Sequence, residues 1–199
     1  MIEKLRLHIS QIVVVLLVVL ICVSNSLWED KAPFVPMILF LLGAVMIGIA
    51  SLGRLWCSVY IAGYKTDYLV TQGPYSMCRN PLYFFSFIGA LGVGFASESF
   101  LIPLIILIAF AIYYPPVIKS EEAELAKLHK NEFEVYFKKV PKFFPKISCL
   151  TEPEEYIIKP VIFKKHMFSA LWFIWLMGIL EIIEGLHELN VLPTIFNIY

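Results

Sequence analysis

Residues 34 to 52, FVPMILFLLGAVMIGIASL, run for nineteen positions without a charged side chain. About 20 mostly apolar residues in a helix cross the roughly 30 Å hydrocarbon core of a bilayer, and a helix satisfies its own backbone groups where no water can. Four more stretches qualify or nearly do: Ile9 to Leu27, Leu82 to Phe95, Phe100 to Val117 and Phe163 to Ile183. With 59% hydrophobic residues and 16% charged, and a mean hydropathy of +0.78, the chain lies outside the range of soluble domains. The expected fold is all-α: a polytopic membrane bundle of about five transmembrane helices with one cytosolic amphipathic helix. No repeat, low-complexity tract or Gly/Ser linker divides residues 1–199, so a single domain is expected.

The third and fourth stretches are separated only by Ala96, Ser97, Glu98 and Ser99, which predicts a tight helical hairpin. Pro103 falls near the start of the fourth, where a first helical turn tolerates it. Lys4 and Arg6 ahead of the first stretch allow a signal peptide as an alternative, but its apolar run is long and four spans follow, which favours a retained helix. On these spans, 15 of the 16 basic residues fall on one side and only Lys31 on the other. The positive side is the cytoplasmic one. The N-terminus is then cytoplasmic and the C-terminus outside or lumenal.

Cys22, Cys57, Cys78 and Cys149 show no CxxC spacing, and His8, His129, His166 and His187 are scattered, so no metal site is expected. Nucleic acid is not expected as a partner. Two polar segments, Gly53 to Pro81 and Lys119 to Phe163, are too long to be mere connections, and both face the cytoplasm on this topology. The second opens with KSEEAELAKLHKNEFEVYFKKV, in which Ala126, His129, Phe133, Tyr136 and Val140 form one apolar stripe at helical period. Pro141 ends that helix, and Phe143 and Phe144 follow as interfacial contacts.

A hairpin brings its two open ends together. Arg79 and Asn80, at the start of the third span, therefore face Glu121 and Glu122, at the end of the fourth. Asn80 suits the N-cap of a helix opening at Pro81, and taken alone RNP reads as a helix start with a snorkelling arginine. Tyr68, Tyr75, Tyr83, Tyr113 and Tyr114 crowd the same end beyond the needs of an interfacial belt, although each singly fits one. Arginine for a carboxylate, glutamate for an ammonium and aromatic faces for a sulfonium describe a site for a zwitterionic, cation-bearing ligand.

LVTQGPYSMCRNPLY resembles the LVxxGxYxxxRHPxY signature of the isoprenylcysteine carboxyl methyltransferase and phospholipid methyltransferase superfamily. EEAELAKLHKNEFEVYFKKVPKFFP is similar to its second signature, a Glu pair followed by a helix ending in YxxYxxxVPxxxP. The two occur in order, separated by one hairpin, and the motif core covers residues 54–147. The resemblance implies a membrane helical bundle, S-adenosylmethionine as cofactor in a cytosolic pocket open to the bilayer, and transfer of its methyl group to an acceptor. Carried over by position, it implies cofactor contacts at Leu69, Val70, Tyr75, Asn80, Pro81, Tyr83 and Glu121, and catalytic roles for Arg79, Glu121 and Glu122. Two positions depart from the pattern. Asn80 stands where the family has histidine, and Val117 stands where the prenylcysteine enzymes have an acceptor-contacting arginine.

Methyl transfer from a sulfonium is a direct displacement. Alignment in a dry pocket can supply up to about 7 to 11 kcal/mol, with no base needed when the nucleophile is already an oxyanion. An amine acceptor must first lose a proton, a task open to Glu122. A pocket between spans is reached most simply from the bilayer, so the expected acceptor is lipidic: a headgroup amine or phosphate, a prenylcysteine-type carboxylate, or a small hydrophobic thiol or quinone-like molecule. Two other classes remain: an NADPH-dependent sterol-reductase-like enzyme, and a non-catalytic membrane interaction protein.

Overall fold

The computed structural model describes residues 15–64 and 68–198. Lys4, Arg6, His8, Lys65 and the first part of the Ile9 to Leu27 stretch lie outside the described residues. Its longer helices are α1, described over residues 15–22, α2 (Phe34–Ile61), α3 (Pro81–Ala96), α4 (Leu101–Lys139), α5 (Pro160–Ala170) and α6 (Trp172–Glu188). Two three-residue strands, β1 (Ser24–Ser26) and β2 (Phe196–Ile198), pair in parallel and tie the C-terminal tail to the end of α1. The architecture is an all-α membrane bundle, with α2, α4 and the joined α5–α6 long and apolar enough to cross a bilayer.

Glycines let α2 and α3 touch backbone to backbone. A Cβ on Gly43 would stand 2.5 Å from the Gly92 carbonyl oxygen and 2.6 Å from the Ala96 nitrogen. Close approach of small residues is how helices associate where lipid offers no hydrophobic drive. Phe173 of α6 lies over Gly89, and Leu180 joins Ile47 and Ala96 in a buried cluster against which Ile21 of α1 packs. The outward face of α2 carries Met37, Leu41, Val45 and Leu52, all exposed, as a lipid-facing surface requires.

The α3–α4 hairpin forms as the sequence predicts. The Ser97 hydroxyl donates to the Gly94 carbonyl at 2.7 Å, and the Leu101 N–H donates to the Ser99 hydroxyl at 3.0 Å. The amphipathic segment is different from expectation. Its first part continues the fourth span through Pro115 and Pro116, and at Lys130, where φ is 40° and ψ −112°, α4 breaks into a second helix that runs to Lys139. The prolines remove only the two donors that would serve the Ala111 and Ile112 carbonyls. Because the break resets the helical phase, the predicted stripe divides. Phe133, Tyr136 and Val140 are buried together, while Ala126 is exposed and His129 half-buried.

With 16 residues, α3 is about 24 Å long, against about 42 Å for the 28 residues of α2. Because Gly43 faces Ala96 and Gly53 faces Phe85, α3 falls short of α2 at the end where α2 starts, and its first turn lies close to the level of the end of α2, at the end of the bundle that carries Arg54, Arg79 and Lys119, here called the basic end. At the opposite end, the Ser26 hydroxyl donates to the Glu98 carbonyl at 2.9 Å. A cavity of about 40 Å³ lies there among Ser24, Ser97, Glu184 and His187, far from the RNP motif.

Candidate functional site

The turn before α3 is held by glycine and by a clasp. Gly73 has φ +58°, and a Cβ there would run into the Tyr60 ring. Its N–H donates to the Thr151 carbonyl at 2.8 Å, the Thr151 N–H donates to the Ser76 hydroxyl at 2.9 Å, and the Lys146 N–H donates to the Met77 carbonyl at 3.0 Å. The chain after α4 thus grips residues 73–77 from the far side. Tyr136 adds a fourth tie, its hydroxyl donating to the Tyr75 carbonyl at 2.7 Å. In the sequence Tyr136 belongs to the apolar stripe and to the second signature, neither of which announces this tie, and nothing in the pattern of residues 146–152 announces their role.

Across the hairpin, the four polar residues meet in pairs. Arg79 Nε donates to Glu122 at 2.8 Å, with the side chains only 7% and 12% exposed. Its Nη1 donates to the carbonyls of Phe137 and Val140 at 2.9 and 2.7 Å, and the guanidinium lies 4.0 Å from the centre of the Phe137 ring. Beside this pair, the Tyr83 hydroxyl donates to Glu121 at 2.8 Å. Asn80 occupies the N-cap position of α3, but its side chain does not cap the helix as the sequence reading has it. A cap needs an acceptor, and the amide instead turns its NH₂ to Glu122 at 3.1 Å and to the Lys142 carbonyl at 3.0 Å.

Aromatic rings wall the Tyr83 side. Tyr114 meets Tyr83 edge-on at 5.1 Å and stacks on Phe110 at 3.6 Å. Phe143 contacts Phe84, Phe87 and Phe110, so it packs on the helix hairpin and is only in part the interfacial residue its sequence context predicts. Tyr75 is buried, and its hydroxyl has no hydrogen-bond partner among the described residues. Burial pushes that hydroxyl well above the usual tyrosine range, with Cys57, Tyr136, Cys78 and Glu121 adding to the effect. Burial also pushes the Cys78 thiol up to about 12, which leaves it protonated and unreactive at neutral pH.

Other predicted contacts separate. Leu69 packs against Phe133, Tyr136 and Val140, whereas Val70 packs against Cys57, Tyr60 and Tyr75. Tyr68 is exposed and pairs with Tyr64, away from the Tyr83 wall. Pro81 is fully buried at the start of α3. A cavity of about 390 Å³, within the range of small-molecule sites, lies beyond the Tyr75 turn and is lined by Gln72, Ser76, Tyr136, Val140, Thr151 and Glu152. It shares a wall with the motif but does not reach Tyr83 or Glu121.

This hairpin site falls within a stretch, residues 33–132, that matches the model of the phospholipid methyltransferase family over half of the chain. The chain belongs to the phospholipid methyltransferase family. Among similar proteins, the nickel-cobalt-cadmium resistance protein NccN of Alcaligenes xylosoxydans xylosoxydans is 34% identical over 95% of this chain and 87% of its own length. The cobalt-zinc-cadmium resistance protein CzcN of Cupriavidus metallidurans is 33% identical over 97% of this chain and 88% of its own length. No solved structure matches significantly. The match to the phospholipid methyltransferase family covers α2, α3, most of α4 and the turn before α3, and so includes all four residues of the Arg79–Glu122 and Tyr83–Glu121 pairs.

Proposed function

We propose that this protein is an S-adenosylmethionine-dependent methyltransferase of the membrane, acting on a lipidic acceptor at the basic end of the bundle. The observation that carries this reading is the Tyr83–Glu121 hydrogen bond at 2.8 Å, which joins the two halves of the motif across the α3–α4 hairpin. The residues fit the cofactor in kind. Glu121 offers a carboxylate to an ammonium, the rings of Tyr83, Tyr114 and Phe110 offer π faces to a sulfonium, and the orphaned Tyr75 hydroxyl offers a polar contact in a buried wall. When bound, the cofactor supplies an electrophilic methyl group.

The chain's own residues do the positioning. Tyr83 fixes the rotamer of Glu121. Arg79 and Glu122, bound to each other, lock Asn80 and the first turn of α3 against the end of α4; we assign both as positioning residues, together with Leu69, Val70 and Pro81. With Glu122 engaged by Arg79 and Asn80, the site favours an acceptor that already bears an oxyanion over an amine needing a base. The aromatic wall excludes water and leaves lateral approach from the lipid. On the charge distribution of the sequence, this end faces the cytoplasm.

The two relatives are named for resistance to cobalt, cadmium and nickel or zinc, and we propose the same setting for this chain, with a methylated membrane component as the means. Membranes from cells expressing wild type or Glu121→Gln are incubated with methyl-labelled S-adenosylmethionine and fractionated, and the same strains are grown in cobalt or cadmium. Label in the lipid fraction and metal tolerance should both depend on Glu121. Label confined to protein would contradict the lipidic acceptor, and tolerance unchanged by E121Q would contradict the cellular setting.

A further inference from the structure

One charged group in the bundle has no part in the hairpin pairs. Arg54 lies 20 residues into α2, about 30 Å from its start at Phe34, at the inner edge of a bilayer core. It does not snorkel outward. Its Nη1 donates to the Ser86 hydroxyl, and its Nη2 donates to the Ser169 hydroxyl at 2.9 Å and the Ser169 carbonyl at 3.5 Å, so the guanidinium is drawn between α2, α3 and α5. The Ser86 proton is given to the Leu82 carbonyl at 2.6 Å, which leaves that oxygen free to accept from Arg54.

All of these partners are neutral. Among the described residues, the carboxylate ion pairs are Arg79–Glu122 and Lys138–Glu134, and neither involves Arg54. Arg54 Nε is buried with no hydrogen-bond partner among the described residues. The orphaned Tyr75 hydroxyl, together with Tyr114 of the aromatic wall, lies within electrostatic range of the same guanidinium. An unneutralised cation at membrane depth is costly and marks a functional site. A guanidinium with an unused Nε–H edge is shaped for an oxyanion. Ser86 is one helical turn from Tyr83, so this edge adjoins the Tyr83–Glu121 wall from the membrane side.

We propose that Arg54 binds the anionic group, phosphate or carboxylate, of the lipidic acceptor, with Ser86 and Ser169 holding its fork in place. This rests on the methyltransferase reading for the word acceptor, but the binding itself is measured without cofactor. Purified protein in maltoside detergent is titrated with lysophosphatidate, with the uncharged monoacylglycerol of the same chain, and with inorganic phosphate. The phosphate-bearing amphiphile should bind about tenfold tighter or better than the neutral one, and inorganic phosphate should compete poorly. Arg54→Gln should abolish the difference, Arg54→Lys should keep part of it, and both should retain S-adenosylmethionine binding.

Equal binding of the charged and neutral amphiphiles by wild type overturns the proposal even if no variant folds. Preference unchanged in R54Q overturns it too, as does loss of S-adenosylmethionine binding in R54Q with amphiphile binding intact. Inorganic phosphate competing as well as lysophosphatidate would overturn the lipid source. If wild type binds lysophosphatidate selectively but no S-adenosylmethionine, the anion site stands and the methyltransferase reading fails.

Discussion

Arg79 and Glu122 show what a buried ion pair does in this protein. Their side chains are almost fully enclosed, so removing one partner strands a charge, at a cost of about 3 kcal/mol or more. Arg79→Met should therefore lower the thermal midpoint in detergent sharply, and adding Glu122→Gln should recover much of the loss. A double variant no more stable than R79M would show that the pair is not the unit holding Asn80. That Arg79 meets the glutamates is legible in the sequence, because four residues between two apolar runs force their open ends together. Which glutamate takes which partner is not legible, since neighbours on a helix differ by about 100° in direction and only packing decides. Arg54 is less legible still. Its partners are serines 32 and 115 positions away with no charge pattern to announce them.

At the scale of elements, the contact that sets the hairpin beside α2 is glycine against backbone. Gly43→Ala should cost about 1 to 3 kcal/mol, because the new methyl meets the Gly92 carbonyl and the Ala96 nitrogen. Gly48→Ala on the same helix meets nothing within 4 Å and should be neutral or stabilising by up to about 1 kcal/mol. Equal effects of the two, read as thermal midpoints of purified protein, would contradict the close packing of α2 on α3. The apolar runs predict the starts of α2, α3 and α4 within a residue, because hydropathy is local, but α2 runs nine residues past Leu52 and the fifth run divides at Leu171 into α5 and α6. The union of the fourth span with the amphipathic segment is missed for a physical reason: charge begins at Lys119, but the backbone ladder does not stop where polarity starts. The clasp of residues 140–152 on the Gly73 turn is equally hidden, since it is made chiefly of backbone hydrogen bonds.

The whole molecule is a bundle in which a 16-residue helix packs between two longer ones, and the candidate site lies where its first turn meets Glu121 and Glu122 of α4. Sequence reading reaches this placement because both halves of the motif flank one hairpin; it does not foresee the parallel pairing of the C-terminal tail with residues 24–26. At the start of α3, Glu121 and its tyrosine are proposed to hold S-adenosylmethionine. Equilibrium binding of radiolabelled S-adenosylmethionine to purified protein tests this proposal most directly. Saturable binding by wild type, about tenfold or more weaker in Glu121→Gln and weakened to a lesser degree in Tyr83→Phe, is the result predicted here. Absence of binding by folded wild-type protein in lipid or detergent, or binding unchanged in E121Q, would contradict it.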